Sequence, residues 1–329
     1  MYRDSTLKIV VIASLTTGCS LPSSQPAGTD SDTACENDDC GEDTSSSVIH
    51  TESTLSAGSN HNCAIDASSR IQCWGYDDQG QISDTPTQPD YTAVSAGIYH
   101  NCAIGSAGNV ECWGYNTDGQ VSQTPSGDGY TAVSGGHAHN CAIDGTGAIA
   151  CWGYDGYGQT SDAPPGTGHQ AVSAGGGFAS GMFSLGHTCA IDAEGTVLCW
   201  GMDDYDQISD SPTDSGHIAV SAGSRHNCAL DSDGAVECWG YDGYGQVSDA
   251  PTGTGHIAVS SGYEHSCAID GSGAIACWGL DDEGQASDTP GGTGYTDVSG
   301  GGWHNCARAE SGAIECWGLD DEGQVSDIP

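Results

Sequence analysis

His139-Asn140-Cys141-Ala142-Ile143-Asp144-Gly145-Thr146-Gly147-Ala148-Ile149-Ala150-Cys151-Trp152-Gly153 places one tight turn between two short runs of small and apolar residues. Glycine at the third position of a three-residue turn supplies the left-handed conformation that closes a hairpin of that length. Centring the turn on Thr146 sets Ile143 opposite Ile149 and Cys141 opposite Cys151. Counted outward from the turn, the cysteines form a non-hydrogen-bonded pair with Cα atoms about 4.5 Å apart, within the range a disulfide accepts.

The hairpin recurs along the chain. Cysteine pairs stand at Cys63/Cys73, Cys102/Cys112, Cys141/Cys151, Cys189/Cys199, Cys228/Cys238, Cys267/Cys277 and Cys306/Cys316, always ten residues apart. Successive pairs are offset by 39 residues, except for one offset of 48, so there are seven units and one nine-residue insertion. A fixed period of this length signals a solenoid or a propeller. Units begin near Leu55, Val94, Val133, Val172, Val220, Val259 and Val298, and each reads as three or four short strands. Six of the seven turns end in glycine (Gly108, Gly147, Gly195, Gly234, Gly273, Gly312), whereas the first ends in Ser69.

Composition agrees with an all-β chain. Among 329 residues, 51 Gly against 2 Phe and 3 Met favour short strands and tight turns over helical bundles. The net charge of -40 repels phosphate backbones, which argues against a nucleic-acid partner.

The N-terminus reads as an export signal over residues 1–18: Arg3 and Lys8 precede the apolar run Ile9 to Leu15, and Thr16-Thr17-Gly18-Cys19 follows. The run is too short to span a bilayer. Thr17-Gly18-Cys19 resembles the bacterial lipobox, which implies lipidation at Cys19, although Thr16 stands where Leu is usual. The expected location is the outer membrane or cell surface, with plain secretion as the alternative, and the only membrane contact is the lipid. Residues 19–54 are rich in Ser, Asp and Thr and read as a flexible acidic spacer in which Cys35 and Cys40 close a small local disulfide. Export also favours disulfides over zinc for the paired cysteines, since zinc-binding cysteines favour spacings of two to four and four ligands in one place. No cofactor and no metal centre are expected.

From Leu55 to Pro329 each unit runs Val-Ser-Ala-Gly-x-x-His-x-Cys-Ala-Ile-Asp, then Cys-Trp-Gly-x-Asp-x-x-Gly-Gln-x-Ser. This string resembles the regulator of chromosome condensation repeat, which implies a seven-bladed β-propeller, here with one cross-strand disulfide per blade. The short unit and its Gly-Gln-x-Ser-x-x-Pro ending are similar to the secreted bacterial β-lactamase inhibitor proteins of type II. The resemblance to the eukaryotic founders would imply guanine-nucleotide exchange on a small GTPase, an activity not expected of an exported, lysine-free domain.

His61, His100, His139, His187, His226, His265 and His304 recur once per unit, too far apart to share a metal, and are expected to bond locally and pin the loop behind them. The recurring tryptophans, Trp74 to Trp317, read as blade-to-blade packing. Acidic loops such as Asp77-Asp78-Gln79-Gly80 lack the ligand spacing of a calcium loop. No unit breaks the repeat with a nucleophile beside a unique base, so no enzyme is expected. The break that exists is the insertion Gly176 to Gly186, a glycine-rich loop carrying Phe178, Met182 and Phe183. Two readings stay open for it: an apolar contact site, or a plug over the central channel.

Strand alternation puts this insertion on the same face as Tyr99, Arg225, Tyr263 and Trp303, with Tyr76, Tyr115, Tyr154, Tyr157, Tyr205, Tyr241 and Tyr244 nearby. Aromatics beside carboxylates make a face suited to a protein or a glycan. The functions compatible with it are a surface-anchored recognition module, an inhibitor of an extracytoplasmic enzyme, and a structural envelope protein. Ring closure is expected to use Val48 to Leu55 paired with the C-terminal strands.

Overall fold

The computed structural model describes residues 54–179 and 182–329. These form seven three-stranded antiparallel sheets, the blades, and one two-stranded hairpin. The first blade is β1 (Leu55–Ala57), β2 (His61–Ile65) and β3 (Ile71–Gly75); the second is β4 (Tyr91–Ala96), β5 (His100–Gly105) and β6 (Val110–Gly114). The third is β7 (Tyr130–Gly135), β8 (His139–Asp144) and β9 (Ile149–Gly153). The fourth blade, β10 (Ala171–Ala174), β13 (His187–Ile191) and β14 (Val197–Gly201), is interrupted by the hairpin β11 (Gly177–Ala179) and β12 (Met182–Leu185). The fifth is β15 (His217–Ala222), β16 (His226–Asp231) and β17 (Val236–Gly240), and the sixth is β18 (His256–Ser261), β19 (His265–Asp270) and β20 (Ile275–Gly279). The seventh is β21 (Tyr295–Gly300), β22 (His304–Ala309) and β23 (Ile314–Gly318).

The hairpin register is the one the glycine turns dictate. Ile143 faces Ile149 and Cys141 faces Cys151. Gly147 has φ +80°, and Ser69, standing where the other turns have glycine, takes the same left-handed conformation at +58°. Asp66 Oδ1 accepts hydrogen bonds from the amides of Ser68 and Arg70, which helps hold this costlier turn.

All seven expected cross-strand disulfides form: Cys63–Cys73, Cys102–Cys112, Cys141–Cys151, Cys189–Cys199, Cys228–Cys238, Cys267–Cys277 and Cys306–Cys316. The expected spacing is corrected, because their Cα atoms lie 4.0 to 4.1 Å apart, closer than the separation of about 4.5 Å typical of a non-hydrogen-bonded pair. The bond draws the two strands together. Nor are the two cysteines of a pair equivalent, a difference that register alone does not show. Cys63, Cys102, Cys141, Cys189, Cys228, Cys267 and Cys306, on the middle strands, are fully buried. Cys73, Cys112, Cys151, Cys199, Cys238, Cys277 and Cys316 lie on the third strands and are only half-buried, since among the described residues no further strand covers that edge. Even so, Cys73, Cys112, Cys238 and Cys277 pack against the clusters that hold Trp113, Trp152, Trp278 and Trp317 of the following blades.

The core lies between blades. Cys63, Ile65 and Ile71 of the first blade pack on Tyr91, Val94, Ala103 and Trp113 of the second. The same layer repeats around the ring, so each disulfide abuts the tryptophan of the next blade. Burying a Trp removes about 200 Å² from water, roughly 5 kcal/mol of transfer free energy before the entropy of ordering. That exceeds any single hydrogen bond at these seams and makes tryptophan the main apolar joint. Each indole Nε1 also donates to the carbonyl of a glutamine in the preceding blade's loop, as Trp113 does to Gln81 at 3.0 Å.

The seventh blade meets the first through the same contacts: Trp74 packs on Cys306, Cys316 and Ile314, and its Nε1 donates to Gln324 O at 3.1 Å. The closure expected of Val48 to Leu55 falls almost wholly outside the described residues, Leu55 being the exception. Leu55 pairs with Ala64 inside its own blade, not with the C-terminal strands. Among the described residues, each blade is built from three strands of its own unit. Residues 48–53 lie outside the described residues, as do the export signal, Cys19, Cys35 and Cys40.

Candidate partner-binding face

Two rings of polar side chains hold the blades in place. The first is built from the repeated histidines, and it corrects the expectation that they bond locally. His61 Nε2 lies 2.8 Å from Asn101 Oδ1 in the next blade, and His100 Nε2 lies 2.7 Å from Asn140 Oδ1. His139 reaches Thr188 and His226 reaches Ser266 at the same position, while His187 and His265 reach Asn227 and Asn305. Each asparagine amide nitrogen is committed to a glutamine carbonyl, as Asn101 Nδ2 is to Gln81 O at 2.9 Å. Its Oδ1 therefore accepts, and the facing imidazole donates from Nε2. The histidine Nδ1 atoms have no partner among the described residues. Burial drives the ring histidines down to about 4, and to about 3 for His139, His226 and His304, so they are neutral.

The second ring lines the central channel, a space of about 140 Å³ walled by Ser56, Ala57, Gly58 and their counterparts. Each serine hydroxyl accepts the backbone amide of the next blade: Ser56 from Ala96, Ser95 from Gly135, and finally Ser299 from Ala57, all at 2.9 Å. Val-Ser-Ala-Gly is thus a joint as well as a strand. Its small side chains let seven backbones converge.

On the face carrying the Gly-x-x-His turns, the aromatic residues gather into clusters. Tyr99 lies between Tyr76 and Tyr115, with ring centroids 6.1 and 6.3 Å away. The Arg225 guanidinium stands over Tyr205 and Tyr241, 4.9 and 5.5 Å from their centroids. Its Nη1 pairs with Glu264 Oε1 at 3.3 Å, and Gln246 Nε2 donates to Glu264 Oε2 at 2.7 Å. Burial raises the Glu264 carboxyl, while Arg225 and Gln246 act the other way. Tyr157 and Tyr244 are the exposed members, at 41% and 50%.

Tyr263 is only 8% exposed and meets Trp303 edge-on at 5.0 Å. It therefore buttresses the half-buried Trp303 instead of presenting a surface of its own. Burial pushes its phenol up. The insertion, expected as a glycine-rich loop, forms a β-hairpin: Phe178 lies on β11, and Met182 and Phe183 lie on β12. Their side chains are outside the described residues. At the hairpin's root, Gly176 N donates to Gly223 O in the fifth blade at 2.9 Å, and a Cβ at Gly177 would come within 3.3 Å of the Tyr263 ring in the sixth.

The acidic loops close on themselves. Asp77 Oδ1 accepts from the amides of Ile82 and Ser83 at 2.8 and 2.9 Å, and Asn116 does the same for Val121 and Ser122. Since asparagine serves as well, the bonds and not the charge are what the position requires. Partial burial opposes ionisation of Asp155, but hydrogen bonds from Ser161 and Thr160 outweigh it and hold the carboxyl at about 2.

Seven blades of one repeated three-stranded unit, joined by two polar rings and a tryptophan seam, define a β-propeller of a single repeat type. The regulator of chromosome condensation (RCC1) repeat model matches residues 53–81, 91–120, 183–207, 218–246 and 257–285, five of the seven units. No curated protein sequence matches the chain. Among solved structures, the ectodomain of the Arabidopsis thaliana receptor kinase ACR4 is similar at 21% identity and TM-score 0.68, covering 83% of this chain and 97% of that one. The ectodomain of the Physcomitrella patens receptor kinase CR4 is similar at 23% identity and TM-score 0.65, covering 80% and 72%. Prp20p of Saccharomyces cerevisiae is similar at 16% identity and TM-score 0.60, covering 75% and 80%. At these identities the likeness is one of fold.

Proposed function

We propose that this chain is a non-enzymatic binding protein that holds a protein or glycan partner on the face carrying the Gly-x-x-His turns. One observation carries the reading. The hairpin β11–β12 departs from the strand order of every other blade, and it stands on the face where Tyr99, Arg225, Trp303 and the exposed Tyr157 and Tyr244 are gathered. A repeat protein acquires a specific site where one unit breaks the symmetry of the rest, and rigid aromatics supply contact area at low entropic cost. Prp20p, a propeller of the same fold, is described with binding properties to Gsp1p and histones, which supports a protein partner as the first choice. The net charge of -40 favours a partner with basic groups and disfavours nucleic acid.

In this reading the domain is exported and tethered through lipid at Cys19, the acidic spacer holding it off the membrane. The test is capture from the envelope of the producing cell by the oxidised full chain, against Phe178→Ala/Phe183→Ala and Trp303→Ala. One protein or glycan retained by the parent and lost by both variants supports the face. Equal capture by all three overturns it. Metabolic labelling of Cys19 with a fatty acid tests the tether separately, and absence of label in an exported chain rejects it.

A further inference from the structure

We propose that Asp214, His217 and Glu237, on the face opposite the aromatic clusters, form a binding site for one divalent first-row transition metal ion, with zinc the ion best suited to the donors. His217 begins β15 and is buried, while Asp214 lies in the loop before it and Glu237 on β17, both exposed. One ligand atom from each comes within 4.8 Å of the other two. The His217 Nδ1 atom lies 3.3 Å from Gly195 O in the preceding blade and donates to it, which leaves Nε2 with its lone pair facing outward. Glu237 Oε2 is 3.5 Å from that nitrogen. An imidazole oriented through its other nitrogen by a carbonyl, with two carboxylates converging on the free one, is the arrangement of a three-ligand site completed by water.

The repeat supplies internal controls. His169 and His256 occupy the equivalent position in the fourth and sixth blades, and each holds Nδ1 2.9 Å from a glycine carbonyl of the preceding blade. The bond to the carbonyl therefore belongs to the fold. The positions of Asp214 and Glu237 are Gly166 and Leu198 around His169, and Gly253 and Ala276 around His256. In the second blade the three positions are Gln88, Tyr91 and Glu111, and the Tyr91 hydroxyl donates to Glu111 at 2.5 Å. Among the described residues, only the fifth blade joins two carboxylates to an outward imidazole nitrogen. One nitrogen and two oxygen donors suit zinc or a neighbouring d-block ion, whereas calcium and magnesium prefer all-oxygen shells with more ligands.

The probe is Zn2+ alone, titrated calorimetrically into the oxidised, chelator-treated full chain in excess Mg2+, which occupies non-specific surface carboxylates. His217→Tyr and Asp214→Gly install residues the other blades already carry there, so both are chosen to keep the fold, and thermal unfolding checks that they do. His256→Tyr is the matched control. One saturable equivalent of Zn2+, a metal-dependent rise in melting temperature, and loss of both in His217→Tyr and Asp214→Gly but not in His256→Tyr are expected. Co2+ in place of Zn2+ should give visible absorption bands of a low-coordinate ion in the parent only. No saturable binding, or binding unchanged in His217→Tyr, overturns the site.

Discussion

His304 Nε2 lies 2.7 Å from Asn62 Oδ1, so the contact that joins each blade to the next also joins the last to the first. Asn62 Nδ2 in turn donates to Gln324 O at 2.8 Å, and Trp74 Nε1 reaches the same carbonyl. One asparagine thus satisfies a buried imidazole and a buried carbonyl belonging to the other end of the chain. Asn62→Ala strands the imidazole N–H in a fully buried site and should cost roughly 1–3 kcal/mol. Asn62→Ser keeps an acceptor at the position, as Ser266 does for His226, and should cost less. Urea midpoints of the two variants check this. Equal losses would mean that side-chain volume and not hydrogen bonding matters at the joint.

Acid should unfold the propeller through these histidines. Their folded values of about 3 to 4 lie below the unfolded value near 6.5, so between pH 6.5 and about 4 the unfolded chain binds more protons than the folded one. Stability is then full above pH 6.5 and falls as the pH drops through that window. Each histidine contributes at most ~1.4 kcal/mol per pH unit, and the seven together are an upper bound. Loss of carboxylate repulsion works in the opposite direction but sets in mainly near pH 4, the ordinary range of Asp and Glu. Chemical unfolding at pH 7.5, 6 and 5 should give steadily lower midpoints, and a flat or rising series would contradict the neutral, buried histidine ring.

Asp297 faces Arg308 across β21 and β22, where five other blades carry Ala93/Ile104, Ala132/Ile143, Ala171/Ile191, Ala219/Leu230 and Ala258/Ile269. Burial raises Asp297 to about 6, with Arg308 acting the other way. Arg308 Nη2 also donates to Thr54 O and Ile65 O of the first blade, so the charged pair sits at the seam where the two ends meet. Arg308→Ala removes the nearby positive charge and the bonds to Thr54 and Ile65, and should destabilise the fold at pH 8, where Asp297 is ionised. The penalty should shrink at pH 5, because a carboxyl with a raised folded pKa favours folding while protonated and loses that contribution as the pH rises through about 6. Asp297→Ala/Arg308→Ile, which installs the pair of the other blades, should be more stable than Arg308→Ala. A double variant worse than the single one would show that the bonds to Thr54 and Ile65 outweigh the charge pair.

What can be read in the residues divides along local and non-local lines. The hairpin register and the disulfides follow from positions within about 15 residues of each other, because a tight turn and a ten-residue cysteine spacing leave one pairing, and the seven units follow from the recurrence of that hairpin. The His–Asn and Ser–amide joints connect residues 40 apart, and no local spacing reveals which polar atom of one blade meets which of the next. A hint is nevertheless present: Asn follows the ring histidine in five units, where a hydroxyl residue takes its place in the other two. The unequal burial of Cys63 and Cys73 is hidden for the same reason, since it depends on which strand of the blade lies at its open edge. Tyr263 shows the limit most plainly. Its neighbours in the chain place it on the aromatic face, but only the packing of Trp303 and the hairpin root decides that it lies beneath the surface.

The disulfides should matter at the seams as much as within the blades. Cys141–Cys151 closes a loop of about a dozen residues, for which constraint of the unfolded chain is worth roughly 3 kcal/mol. The same sulfurs also pack against Ala190 and Trp200 of the following blade. Cys141→Ala/Cys151→Ala loses both, whereas Cys141→Ala/Cys151→Val refills part of the volume without the crosslink. Denaturant unfolding of the two variants separates the effects. If packing contributes, the Val variant recovers part of the lost stability, and Trp fluorescence in the folded state shifts toward the parent. Identical midpoints for both would assign the whole loss to the crosslink and leave the seam to tryptophan alone.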